Sequence, residues 1–258
     1  MPRITLLTDF GTADGYVAAM KGVIASIAPA AVVEDAAHDL PPGDVHAAAW
    51  ALGRYWRLYP PGTIHVVVVD PGVGSARRAL AAEVAGRTLV APDNGVGTWI
   101  FDEAPPTRVV AIENPAFLRE RVSRTFHGRD VFAPAAAHLA AGVPLVELGP
   151  PLGEVFRLEW PRLGFAPDTI RGEVVHVDRF GNLITNVTED WASFGAVRVA
   201  GVDLGRPRRT YADAEPGELL ALMGSAGFLE VSVRDGSAAE QLGVGRGAPV
   251  EIRKGGTS

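Results

Sequence analysis

The stretch Val66–Arg78, VVVVDPGVGSARR, decides how the fold is read. Four consecutive valines without a polar interruption predict a strand buried on both faces, as in a parallel sheet. Asp70-Pro71-Gly72 then ends it. Proline lacks the amide that a ladder needs, and Gly72 and Gly74 permit a tight backbone path. Asp70 is therefore expected at the carboxyl end of a central strand, where open α/β sheets place their ligand crevices. Arg77 follows closely enough to fold back over that aspartate.

Outward from this strand, the first half alternates strand, polar loop and helix. Ile4 to Leu7 is an apolar strand ending in Thr8-Asp9-Phe10-Gly11. Asp14 opens a helix with Tyr16, Val17, Met20, Ile24 and Ile27 at helical spacing. Ala31 to Glu34 reads as a second strand, His38 to Gly43 as a loop, and Asp44 as the cap of a helix through Ala47, Trp50 and Leu52. Thr88 to Ala91 and Arg108 to Ile112 are further strands. Thr125 to Asp130 leads into an alanine-rich helix that ends near Gly142. This pattern predicts an α/β domain with a mostly parallel sheet, covered on both faces, over residues 1–158.

The pattern changes after Pro150-Pro151. Residues 159–169, with Pro161 and Pro167, read as a linker. Residues 170–258 then read as a small antiparallel β-barrel domain. Its strands are expected at Gly172 to Val177, Leu183 to Asn186, Ala196 to Ala200, Glu218 to Met223, Phe228 to Val233 and Val250 to Arg253. A brief helix is expected at Ser237 to Leu242.

Composition narrows the function. No window approaches about 18 uninterrupted apolar residues, so no membrane span is expected. The segment MPRITLLTDFG lacks the layout of a signal peptide. The absence of cysteine removes disulfides, thiolate nucleophiles and cysteine-based zinc sites together, and suits the cytoplasm. A net charge of −6 with no Lys/Arg-rich stripe argues against nucleic acid. Only Lys21 and Lys254 are lysines among 24 basic residues, which, with the alanine richness, fits a GC-rich bacterial genome.

The first half sends polar loops to one rim of its sheet: Asp9 and Asp14, His38 and Asp39, Asp70 and Arg77, Asp93 and Asn94, and His127 with Arg129 and Asp130. A rim with so many ionisable groups points to a site. Plainer readings apply to several of them. Asp14 and Asp44 can be read as helix N-caps, the favoured reading for Asp44, and Asp93-Asn94-Gly95 equally as a strand-to-helix turn. His65, His138 and His176 read as structural, and His46 lies inside a helix. The segment LLTDFGTAD would serve as a metal loop only with several closely spaced aspartates, and Leu7 and, just after the segment, Gly15 stand where two of them should be. GVGSAR lacks the third glycine of a dinucleotide fingerprint. Beside this weaker metal reading, the other reading is a metal-free site, without a cofactor, in which Asp70, Arg77 and His127 handle a water molecule. In the second half, DRFGNLITN offers an aromatic and an amide that could engage a purine.

TDFGTADGYVAAMKGVI, VVVVDPGVGSARR, APDNGVGT, TFHGRDVFAPAAAHLAAG and VDRFGNLITN occur here in one order. Together they resemble the S-adenosyl-L-methionine (SAM) hydrolases, or SAM hydroxide adenosyltransferases, relatives of the fluorinase and chlorinase. The resemblance implies a homotrimer, with SAM bound between the N-terminal domain of one subunit and the C-terminal domain of the next. It implies attack by water at the ribose C5′, releasing adenosine and L-methionine. The hydrolase Asp–Arg–His set falls on Asp70, Arg77 and His127. Asp9 resembles the carboxylate that grips the ribose hydroxyls, and Phe180 and Asn182 the adenine contacts. Asp178 and Ser225 resemble the groups holding the methionine amine and carboxylate. Asp14, Asn94 and Glu230 complete the expected substrate-binding set. The halogenases follow that serine with arginine, where this chain has Ala226, and they replace the aspartate of the catalytic set with an uncharged residue. A carboxylate at Asp70 repels a halide at short range, which favours water over 5′-halogenation. A SAM or adenosine sensor with little turnover is the other alternative.

Overall fold

In the computed structural model, which describes residues 1–189 and 195–253, the first 158 residues form one compact unit around a six-stranded sheet. Its strands are β1 (Arg3–Thr8), β2 (Val32–Ala37), β3 (Ile64–Val68), β4 (Ala79–Val84), β5 (Arg87–Pro92) and β6 (Arg108–Ala111). They lie in the order β2-β1-β3-β5-β4-β6. The β2-β1-β3-β5 pairs are parallel, and β4 is antiparallel to both β5 and β6.

Every residue of β3 is buried, as its apolar run requires. Val66 and Val68 pack into one core with α1 (Tyr16–Ile27) and α4 (Ala133–Ala140), represented by Met20, Ile24, Ala136 and Ala137. The two-residue period sends Val67 and Val69 to the opposite face. There α2 (Val45–Tyr55) and α3 (Thr98–Glu103) meet each other through Trp50 and Trp99, ring centroids 5.2 Å apart. Asp44 caps α2 by accepting from the Ala47 amide at 3.0 Å. Asp14 does not cap α1. The helix opens at Tyr16 after Gly15, whose left-handed backbone (φ 74°) stands at the cap position. Tyr16 is not on the buried stripe either, being 48 % exposed.

Strand β4 lies where no strand is expected from the sequence pattern. Its hairpin to β5 turns on Ala85 and Gly86, both at positive φ, the conformation of a two-residue primed turn. His65 is structural, as expected. It is buried with Nδ1 2.8 Å from Thr5 Oγ1, and burial, followed by the Arg87 charge, pushes its imidazole down to about 4.

Residues 159–258 form the second unit. Its strands are β7 (Gly164–Ala166), β8 (Thr169–Val177), β9 (Leu183–Thr188), β10 (Val197–Val199), β11 (Val202–Gly205), β12 (Leu219–Met223), β13 (Phe228–Val233) and β14 (Pro249–Arg253). They pair antiparallel in the order β11-β10-β14-β8-β9-β13-β12, with β7 on β8. The Arg208 amide bonds the Ala221 carbonyl at 2.7 Å, drawing the chain beyond β11 onto β12, so the sheet nearly closes as a barrel. Ile170, Val174, Leu183, Leu229, Val231 and Val250 fill its interior. The short helix α5 (Ala238–Leu242) is capped by Ser237, whose oxygen accepts from Glu240 at 3.1 Å. Strand β7 lies inside the stretch 159–169 that the prolines mark as linker. Among the described residues, no helix is long and apolar enough to cross a membrane.

The segment before α4 hangs on Asp130, which is fully buried. Its carboxylate accepts from Arg129 Nε (2.7 Å), Arg129 Nη2 (2.9 Å) and the Ser123 amide (2.9 Å). Burial alone pushes this carboxyl up, but the Arg129 and Ser123 hydrogen bonds and the Arg129 and Arg119 charges outweigh it, and it lies below its ordinary value. A carboxyl lowered in the folded state stabilises fully above its unfolded value, and that contribution is lost as pH falls through the folded one. Asp130→Asn is expected to lower unfolding stability by about 2–4 kcal/mol at pH 7. Urea denaturation as a function of pH checks this: the wild-type and variant curves should converge below the ordinary carboxylate range.

Candidate functional site

Three loops at the carboxyl edge of the parallel strands enclose a cavity of about 350 Å³ in the first unit. The end of β1 supplies Asp9 and Phe10, the end of β3 supplies Asp70, Pro71 and Val73, and the segment before α4 supplies Thr125, Phe126, His127 and Gly128. Gly43, Tyr16 and Val68 complete the wall.

Asp70 reaches this edge because β3 ends there, and Arg77 folds back onto it through the turn between them. Arg77 Nε lies 2.9 and 3.0 Å from the two Asp70 oxygens, and Nη2 also donates to Oδ2. The same Nη2 lies 2.7 Å from His127 Nδ1. Both partners of the ion pair are largely buried, with side-chain exposures of 11 % and 5 %. The guanidinium stacks over Phe132, its carbon 5.3 Å from the ring centre. Arg77 thus stands behind the cavity wall, while Asp70 and His127 form part of it.

A guanidinium only donates hydrogen bonds. His127 Nδ1 must therefore accept, and the neutral ring carries its proton on Nε2. Burial, then the Arg77 charge, holds the imidazole below its ordinary value of 6.5. The charges of Asp70 and Asp130 and the Ser123 backbone act in the other direction. His127 is placed by an unusual local structure, since Gly128–Phe132 is one π-helical turn running into α4. Such wide turns recur at functional sites because they re-aim the flanking residues.

Asp9 is held by the Gly43 amide, which donates to Oδ2 at 2.7 Å, and the Gly11 amide bonds the His38 carbonyl at 2.8 Å. His38 itself is buried between Thr8 Oγ1 (2.8 Å) and Asp35 Oδ1 (2.9 Å), behind the rim. Asp14 is exposed and lies outside the cavity wall, as does Asn94. Asn94 Nδ2 donates to the Val69 carbonyl at 2.9 Å and so fixes the backbone beside Asp70. Asp93 is likewise structural, accepting from Arg78 Nε and from the Phe156 amide, both at 2.8 Å.

Sequence reasoning missed the aromatic wall. Phe10, Tyr16 and Phe126 form a mutual cluster with ring centroids 5.1–5.8 Å apart. The signal was an aromatic residue immediately beside each polar rim motif, Asp9-Phe10 and Phe126-His127.

In the second unit, Asp178 closes its own turn. Its Oδ1 accepts from the Phe180 and Asn182 amides and its Oδ2 from Asn182 Nδ2, each at 2.9 Å. Asn182 is buried, whereas Phe180 is 76 % exposed at the turn tip. Ser225 is exposed on the turn between β12 and β13, and Glu230 is buried on β13. Tyr211, not singled out in the sequence, donates its hydroxyl to Glu230.

The turn that carries Arg77 depends on Gly74. Its φ is +77°, and a β-carbon there would stand 2.4 Å from the Arg124 carbonyl oxygen. Gly74→Ala is expected to cost about 2 kcal/mol or more and to push apart the loops bearing Arg77 and His127. Denaturant midpoints check it; an unchanged midpoint would contradict the close approach.

Residues 4–149 match the family model for the SAM hydroxide adenosyltransferase N-terminal domain, and residues 172–251 that for its C-terminal domain. The chain is 45 % identical to the (R)-S-adenosyl-L-methionine hydrolase of Thermus thermophilus, over 98 % of this chain and 100 % of the relative. A fluorinase from Nocardia brasiliensis is more distant, at 28 % identity over 98 % and 97 % of the two chains. The crystal structure of an uncharacterized conserved protein from Thermotoga maritima superposes with a TM-score of 0.89 at 37 % identity, covering 96 % of this chain and 99 % of that one.

Proposed function

Because the chain belongs to the SAM hydroxide adenosyltransferase family, we propose that its cavity aligns a water molecule with C5′ of bound SAM, and that Asp70 orients and deprotonates this water. The enzyme hydrolyses S-adenosyl-L-methionine to adenosine and L-methionine. The observation that carries the residue assignment is the single guanidinium that binds Asp70 and His127 together at the cavity wall.

The reaction forms a bond from the water oxygen to C5′ and breaks the C5′–S bond. Both electrons go to sulfur, which leaves as a neutral thioether, so no general acid is needed. The demand falls on the nucleophile. A neutral His127 with Nδ1 engaged and the proton on Nε2 has no nitrogen free to take a proton from water. Asp70 keeps lone pairs beyond those used by Arg77 and is the acceptor in this account. Arg77 fixes both carboxylate oxygens, and His127 fixes Arg77. Phe10, Tyr16 and Phe126 exclude water. Loss of solvent strengthens the attraction between an anionic oxygen and the sulfonium, and alignment supplies the entropic share. Asp9 fits the ribose hydroxyls, and Asp178, Phe180, Asn182, Ser225 and Glu230 the adenine and methionine ends. Asp14 and Asn94 act from outside the wall, Asn94 through the Val69 backbone. The scheme uses no metal or cofactor. The family resemblance supports a homotrimer with sites between subunits, and the lack of cysteine supports a cytoplasmic setting.

Incubating the purified protein with SAM, without added metal or halide, is expected to give adenosine and L-methionine in equal amounts by chromatography. Asp70→Asn is expected to lower kcat by about 10²–10⁴ while leaving adenosine affinity within about threefold, measured by calorimetry. Equal losses in both would make Asp70 a binding residue. The neutral His127 ring is the acceptor for Arg77, so activity should fall on its protonation. The acid limb of kcat is therefore expected below pH 6.5, with a plateau above it. His127→Asn, which retains an acceptor, should remove that limb from the profile.

A further inference from the structure

The loop that brings Asp9 and Phe10 to the cavity is tied down at each of its residues from Thr8 to Gly11. Asp9 Oδ2 accepts from the Gly43 amide at 2.7 Å, and the Gly11 amide bonds the His38 carbonyl at 2.8 Å. The Phe10 amide donates to Thr8 Oγ1 at 3.3 Å, and Thr8 Oγ1 lies 2.8 Å from His38 Nδ1. Three of these four bonds end on the connection between β2 and α2, and His38 makes two of them, one by its ring and one by its backbone. Where β2 runs into this connection, its register on β1 slips by one residue, between Leu6 and Leu7. Such bulges re-aim the side chains beside them.

Behind His38 the bonds continue outward. His38 Nε2 lies 2.9 Å from Asp35 Oδ1, and Lys21 Nζ donates to Asp35 Oδ2 at 2.6 Å. Burial pushes the Asp35 carboxyl up, but the hydrogen bonds and charges of Lys21 and His38 outweigh it and hold it below its ordinary value. An ionised carboxylate only accepts, so His38 Nε2 donates to it. In the neutral ring Nδ1 is then the acceptor, and the Thr8 hydroxyl donates to it while its oxygen receives the Phe10 amide. His38 and Thr8 are buried, and neither they nor Asp35 lines the cavity. A buried imidazole is costly unless both nitrogens are partnered, and here one partner stands next to Asp9. Among the described residues no donor reaches Asp9 Oδ1, so this cavity residue keeps lone pairs on both oxygens, as binding a vicinal diol requires.

We propose that His38, clamped between Thr8 and Asp35, is a positioning residue that holds Asp9 against the ribose hydroxyls of the substrate, and so sets how strongly the site discriminates against sulfonium nucleosides lacking the 2′-hydroxyl. This rests on the reading of Asp9 as the ribose contact of a SAM hydrolase. Asp9 makes the contact, and His38, through Thr8 and through its own carbonyl, fixes where the carboxylate stands. A charge-assisted bond to a hydroxyl depends on distance and angle, so a loosened loop is felt at the ribose.

The test compares kcat/KM for SAM and for its 2′-deoxy analogue. The wild-type protein should prefer SAM by about 10- to 100-fold, the worth of one charge-assisted hydrogen bond. An amide at position 38 can stand in for one ring nitrogen or the other. His38→Gln reaches Asp35 but leaves Thr8 without its acceptor. It should lose most of the preference by slowing SAM, with the analogue within about threefold of wild type. His38→Asn restores an acceptor beside Thr8 and should keep most of the preference. Thr8→Val removes the same bond from the loop side. Its loss should match that of His38→Gln, and the double variant should be no worse than either. Equal slowing of both substrates by His38→Gln would overturn the proposal, as would an intact preference or fully additive losses in the double variant. A preference that is absent from the wild type, or unchanged in Asp9→Asn, would remove the Asp9 assignment and the proposal with it. If the wild type left SAM intact, the hydrolase reading itself would fail, a result distinguishable from the others.

Discussion

One guanidinium shared by two loops is the interaction on which the rest of this protein depends. Arg77 binds both oxygens of Asp70 and, through the same Nη2, the Nδ1 of His127, fifty residues further along the chain. Each contact limits the others. The carboxylate has its orientation set, the histidine is confined to one tautomer, and the arginine cannot swing into the cavity. A nucleophile as weak as water gains more from fixed partners than from strong ones, because alignment is the larger part of what a site can supply.

The surrounding fold serves this constraint in layers. The fully apolar β3 delivers Asp70 to the sheet edge, and Asn94 clamps the Val69 carbonyl next to it. Gly74 lets the turn back to Arg77 lie against the Arg124 carbonyl. Asp130 anchors the segment on which His127 rides, and the π-helical turn sets the angle at which it leaves α4. Asn94, Gly74, Arg77 and Asp130 stand outside the cavity wall, to which Asp70 and His127 bring ionisable groups. The polar rim is thus mostly scaffold, with a small chemical centre in front of it.

How much of this was legible in the sequence varies with the kind of signal. β3, the flanking helices and the change to antiparallel strands followed from long apolar runs and from Gly/Pro punctuation. The Asp70–Arg77 contact followed from spacing across a tight turn. β4 and β11 did not, and the reason is the same for both. Their hairpins turn on Ala85-Gly86 and Ala200-Gly201, with alanine at positive φ, where the usual signal is asparagine or aspartate. β7 was hidden by the prolines on either side of it. In the site, identity was easier to read than duty. Asn94 and Asp93 looked like site residues and hold the backbone, whereas Tyr16 looked like core and lines the cavity. Tyr211 left no signal, since its contact with Glu230 joins two segments whose approach only the barrel determines.

The central claim is that water attacks C5′ within the site built around Asp70, Arg77 and His127. The direct measurement is turnover of SAM in water enriched in oxygen-18, with mass spectrometry of both products. The account predicts one heavy oxygen in adenosine, at the 5′ position, and none in L-methionine, with the label lost together with turnover in Asp70→Asn. Unlabelled adenosine, label in L-methionine, or full labelled turnover by Asp70→Asn would contradict it.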